Sequence, residues 1–132
     1  METLAQIAGG GVLGIGFAWL VERLQNYRAQ KNFYAAGLIT ATLIYVGFGM
    51  RADSYETALA EMLGVVLYLP FAVLGALFSG WLLSLGWALH ALWDVLLHDR
   101  STAFVPHWYP MFCLGFDLLL AARIGWREWR TR

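Results

Sequence analysis

The stretch HALWDVLLHDR, residues 90–100, sets His90, Asp94 and His98 at four-residue intervals inside one of the most apolar parts of the chain. Four residues advance an α-helix by about 40° beyond a full turn, so the three side chains fall within a stripe about 80° wide on one face. They also spread over about 12 Å of helix axis, an awkward reach for a single ion, so Asp94 is expected to pair with one histidine while further ligands come from elsewhere. Imidazole combined with carboxylate suits a divalent transition metal: zinc, iron or manganese. Such a metal with an open position would polarise a substrate carbonyl or bring the pKa of bound water to about 7. Iron in the same ligands would instead support oxygen chemistry on an apolar substrate.

The elements that hold these residues follow from composition. Of the 132 residues 60% are apolar and 16% aromatic, well above the roughly 45–50% apolar content of soluble domains, and the mean hydropathy is positive. The expectation is an all-α, polytopic membrane helix bundle forming a single domain over 1–132, with the lipid bilayer as its solvent. Lys and Arg balance Asp and Glu, which suggests no nucleic-acid partner. METLAQIAGGG has no basic region ahead of its apolar run, so the first segment reads as a retained span rather than a cleaved signal. Cys113 is the one cysteine and excludes an internal disulfide.

A crossing takes about 20 apolar residues, which predicts spans at roughly 4–22 and 33–50 with the polar link ERLQNYRAQK between them. Residues 58–97 are too long for one crossing and are expected to reverse at FSGW, giving spans of roughly 56–78 and 81–98. A fifth span is expected at 108–126, with Pro110 in its first turn and Pro70 placed to kink the third. With five spans Arg23, Arg28, Lys31, Arg123, Arg127, Arg130 and Arg132 share one side, and only Arg51 and Arg100 the other. The positive-inside rule then puts the N-terminus outside and the C-terminus in the cytoplasm, as in a bacterial inner membrane. Trp126 and Trp129 at one end, with Trp108 and Tyr109 at the other, fit interfacial belts.

Depth can be counted at about 1.5 Å per residue. His90 then lies about 12 Å below His98, and Asp117 about 13 Å below Trp108, so an imidazole and a carboxylate from different spans reach the same level. Glu61 on the third span matches Asp94. The expected site therefore has His90, Asp94, His98 and His107 as metal ligands, with Asp117 or Glu61 completing the shell or acting as a base. Charged groups at such depth cost about 2.5–3.5 kcal/mol each and are functional by default. The plainer alternative is that His90 with Asp117, and Asp94 with His98 or Arg100, only lock helices together by hydrogen bonds. His107 in VPHWYP equally reads as an ordinary interfacial histidine. Axial haem ligation by His90 and His107 has no C-x-x-C-H motif behind it. Cys113 reads as a small apolar residue, Arg51, Asp53 and Glu56 as a solvated outer cluster, and Ser79 as too distant to serve as a nucleophile for these histidines. GGGVLGIG contains G-x-G-x-x-G by accident, without a βαβ unit around it. Gly10 and Gly14, like Gly80, Ser84 and Ala88, instead suit close helix packing, within the chain or in a homo-oligomer.

HALWDVLLHDR followed by VPHWYPMFCLGFD resembles small bacterial integral membrane proteins of a domain-of-unknown-function type, a resemblance that covers the last third of the chain. It implies a compact multi-span membrane protein and no particular activity. The chain is more loosely similar to membrane metal-dependent hydrolases of the alkaline ceramidase superfamily, whose histidines and aspartate surround zinc. Those have seven spans, and the matching His-x-x-x-His pair is missing here. The functional expectation is a metal-dependent membrane enzyme acting on a lipid-like substrate. A metal or proton transporter and a non-catalytic subunit or scaffold of a membrane complex are the alternatives.

Overall fold

The computed structural model describes residues 2–51, 55–98 and 105–131, except for the side chains of Leu97 and His98. Among these residues the chain is helical throughout, with no strand: α1 (Glu2–Glu22), α2 (Tyr27–Arg51), α3 (Tyr55–Leu77), α4 (Gly80–Trp93) continuing into a π-helical turn (Asp94–His98), and α5 (Tyr109–Arg130). Three of them, α1, α2 and α3, are long and apolar enough to cross a membrane. In α4 the α-helical part alone is short, and α5 carries Asp117, Arg123, Arg127, Glu128 and Arg130.

Local chemistry sets the boundaries. The Asn26 side chain accepts the Arg28 amide at 2.9 Å, an N-cap that starts α2 at Tyr27. The polar link is therefore shorter than ERLQNYRAQK suggests, because its second half is the first turn of α2. The chain reverses at Phe78 and Ser79, where the Ser79 hydroxyl caps α4 by accepting from the Trp81 amide at 3.3 Å. Pro110 lies in the first turn of α5, where its missing amide proton removes no helical bond. Pro70 lies inside α3, which is helical on both sides of it.

Consecutive helices run up and down. Arg123 forks onto Glu22 at 2.6 and 2.9 Å, Tyr27 donates to Glu128, and Arg127 donates to the buried Gln30. These contacts gather the end of α1, the start of α2 and the end of α5 at one pole. Arg23, Arg28, Lys31, Arg123, Arg127 and Arg130 belong to that pole. This network extends α2 and α5 beyond their apolar stretches, since tertiary bonds hold turns that hydropathy leaves out. In the core, α4 packs between α3 and α5, with Trp87 and Leu83 meeting Leu38, Ala72, Leu120 and Ile124.

The α1–α5 contact is a backbone-to-backbone approach. A Cβ on Gly10 would strike the Phe112 carbonyl oxygen, and one on Gly115 would strike that of Ile7. Gly11, one residue away, has open space around the same position. Small residues at a helix interface allow this closeness. Gly10→Ala is therefore expected to cost about 1–3 kcal/mol by overpacking and to lower the melting temperature in detergent. Gly11→Ala should be neutral or stabilising through helix propensity. Equal melting temperatures for the two variants would contradict this packing.

Candidate functional site

Polar residues are buried here and large apolar residues face outward. Gln30, Thr42, Glu61, His90, Asp94 and Asp117 are buried, while Val12, Leu63, Val66 and Leu96 are each at least 66% exposed. Three of the buried groups meet. His90 on α4, Asp94 one turn later at the start of the π-helical turn, and Asp117 on α5 have accessibilities of 0, 0 and 1%. Their approach is possible because α4 and α5 pack along their length, which sets residue 90 opposite residue 117.

The His90 Nδ1 lies 2.7 Å from Asp117 Oδ2, a hydrogen bond in which the ring nitrogen donates when the carboxyl is ionised. The same Nδ1 is 3.9 Å from Asp94 Oδ2. The other Asp94 oxygen, Oδ1, accepts from the Tyr45 hydroxyl, brought by α2. Asp94 Oδ2 and His90 Nε2 are buried with no hydrogen-bond partner among the described residues. Buried polar atoms of this kind are rare in folded proteins, since each one costs about 1–3 kcal/mol, more when charged. One ligand atom from each of His90, Asp94 and Asp117 lies within 4.8 Å of the others. Two atoms about 2.1 Å from one ion lie at most about 4.2 Å apart, and the separations of 2.7 and 3.9 Å from His90 Nδ1 satisfy this.

An aromatic wall encloses the cluster. Tyr68 meets the His90 ring edge-on with centroids 5.2 Å apart, and Tyr45 meets it at 5.9 Å. The Tyr68 hydroxyl donates to the Leu89 carbonyl at 2.9 Å, just before α4 widens into its π turn. Such turns occur often at functional sites. Glu61 is buried on α3, within electrostatic range of His90.

The expected site residues thus separate. His90, Asp94 and Asp117 come together, and Glu61 is close by. His107 is exposed in the turn before α5, outside this group, because the helix starts only at Tyr109. The side chain of His98 lies outside the described residues, as do Asp53 and Arg100. The stripe argument for His98 assumed α-helical spacing, and the i to i+5 bonding of the π turn breaks that spacing after Asp94. Tyr45 was not foreseen. It stands six residues, or about 9 Å, inside the end of α2, so depth counting extended from charged residues to tyrosines would have found it.

Tyr45→Phe leaves the Asp94 carboxylate without its donor in an apolar bundle, and about 1–3 kcal/mol of stability should be lost. An unfolding titration in mixed micelles reads this directly. An unchanged midpoint would show that Tyr45 does not support Asp94.

Residues 5–127 match a protein family described as a family of unknown function, DUF6010. No curated protein and no solved structure matches the chain.

Proposed function

The chain belongs to the DUF6010 family, a family of unknown function, and we propose that it is an integral membrane protein whose His90, Asp94 and Asp117 hold a divalent transition metal that acts on a lipid-like substrate. The observation that carries this reading is the convergence of His90 Nδ1, Asp94 Oδ2 and Asp117 Oδ2 in a cluster at most 1% exposed, with Asp94 Oδ2 given no donor among the described residues. A purely structural lock, served by the His90–Asp117 and Tyr45–Asp94 bonds, needs a proton shared between the adjacent Asp94 and Asp117 carboxyls to cover the remaining oxygen. A cation answers that surplus, because it pairs with both carboxylates without a proton on either.

Zinc, iron and manganese all accept one imidazole and two carboxylates. Such an ion supplies a Lewis acid for a carbonyl or phosphoryl oxygen and a bound water acidified toward pKa 7. In this reading Tyr45 orients Asp94, as donors around metal ligands commonly do, and Glu61 is the group placed to move a proton. Five crossings are proposed, with the basic pole in the cytoplasm of a bacterial inner membrane and the cluster toward the other side. The charge distribution and the outward-facing leucines and valines support that placement. Transport is disfavoured: between the cluster and the basic pole α4 and α5 contribute buried Leu83, Trp87, Leu120 and Ile124, an apolar floor.

Elemental analysis of protein purified in detergent without a histidine tag should find near-stoichiometric zinc, iron or manganese. His90→Ala and Asp94→Ala should each lose it, with loss of at least tenfold in affinity on reconstitution. Absence of metal after reconstitution of folded wild-type protein with each ion would overturn the reading.

A further inference from the structure

The helices α1 and α2 scarcely touch, although they are neighbours in sequence. Between them and α5 lies a groove of about 450 Å³, within the range of about 300–1,000 Å³ typical of ligand sites. Phe17 lines it from α1, Phe33, Thr40 and Ile44 from α2, and Cys113 and Asp117 from α5. From Phe33 to Ile44 it follows α2 for about 16 Å. The groove is therefore long and narrow, runs with the helices, and opens sideways between spans rather than toward an end of the bundle.

Its lining is almost wholly apolar, and its few polar groups lie on α5 and at Thr40. On α5, Tyr109, Cys113 and Asp117 follow one another at four-residue intervals down the groove wall. Cys113 and Asp117 are themselves buried, so they give the groove only a thin polar edge beside Phe112 and Phe116, which ends at Asp117, about 12 Å into α5. Beyond Asp117, toward the basic pole, the lining is Phe17, Phe33 and their apolar neighbours. Asp117 is the same carboxylate that holds His90 Nδ1 at 2.7 Å. An occupant that is hydrocarbon for most of its length, with one polar group at this edge, fits such a lining, and between spans the surroundings are acyl chains.

We propose that this groove receives one hydrocarbon chain of a bilayer lipid, with the polar, ester-bearing end of that chain against Tyr109, Cys113 and Asp117, so that substrate enters the His90–Asp94–Asp117 centre sideways from the membrane. The proposal rests on the metal-centre reading for the reaction alone; occupancy of the groove stands or falls separately.

The test uses the full chain in liposomes containing a phosphatidylethanolamine with a photoactivatable diazirine in one acyl chain. After irradiation, adducts are mapped by peptide mass spectrometry. Adducts should be enriched several-fold on residues 33–44 and on Leu13 to Phe17 over the comparably exposed Leu67 of α3 and Leu92 of α4. Thr40 is exposed in the groove wall, outside the core, so Thr40→Trp should fill the groove and remove the enrichment, and Ala36→Phe gives the same test from the next turn. Leu67→Trp should leave it intact. Adducts spread evenly over all lipid-facing helices, or enrichment that persists in both groove variants, would overturn the proposal. Enrichment in a chain that binds no metal would keep the groove and remove the metal centre. Metal binding with evenly spread adducts would do the reverse.

Discussion

The constraint on which this structure turns is the cost of placing an imidazole and two carboxylates inside an apolar bundle. Burying an ionised carboxylate costs several kcal/mol unless it is paired and hydrogen-bonded, and all three groups are at most 1% exposed. The His90–Asp117 hydrogen bond, joining α4 to α5 at 2.7 Å, and the Tyr45–Asp94 bond, joining α2 to α4, offset part of that cost. The relative rotation of three helices is thereby fixed, because a turn of any one would leave a charged or polar atom bare. Glu61 adds α3 to the same interior.

Close packing elsewhere makes this convergence possible. Helices apolar enough to cross a membrane, as α1, α2 and α3 are, gain no hydrophobic drive toward one another in lipid, so proximity has to come from shape. Gly10 and Gly115 bring the α1 and α5 backbones together, and the Ser84 hydroxyl donates to the Ala121 carbonyl at 2.6 Å to join α4 and α5 below the cluster. At the basic pole the Glu22–Arg123 fork and the contacts among Tyr27, Gln30, Arg127 and Glu128 tie the same helices again. With α1 held to α5 and α2 held to α3, the seam between α1 and α2 is left loosely filled, which is where the groove lies.

Much of this was legible in the amino-acid order. The Ser79 reversal, the five helices, the tight faces at Gly10 and Gly14, and the shared depth of His90 and Asp117 all follow from counting residues along apolar runs. What escaped did so for physical reasons. The first turn of α2 is polar, and tertiary bonds to α5 hold it, so hydropathy placed the start late. A π turn has no clear sequence signature, so the periodicity of the stripe does not foretell the change of helical spacing that begins at Asp94. Depth alone says nothing about whether a residue lies in a helix or in the turn before it, which is why His107 was grouped with residues it does not join. Tyrosine hydroxyls carry no charge to draw notice, and Tyr45 was passed over for that reason.

The central claim is that one imidazole and two carboxylates share an ion in the interior of the bundle. X-ray absorption at the zinc edge, on zinc-loaded protein in liposomes, tests it most directly. The account predicts a first shell of nitrogen and oxygen at about 2.0–2.2 Å, with the outer-shell scattering of a single imidazole that disappears in folded His90→Ala. A shell of oxygen alone, or an imidazole signal that His90→Ala leaves unchanged, would contradict it.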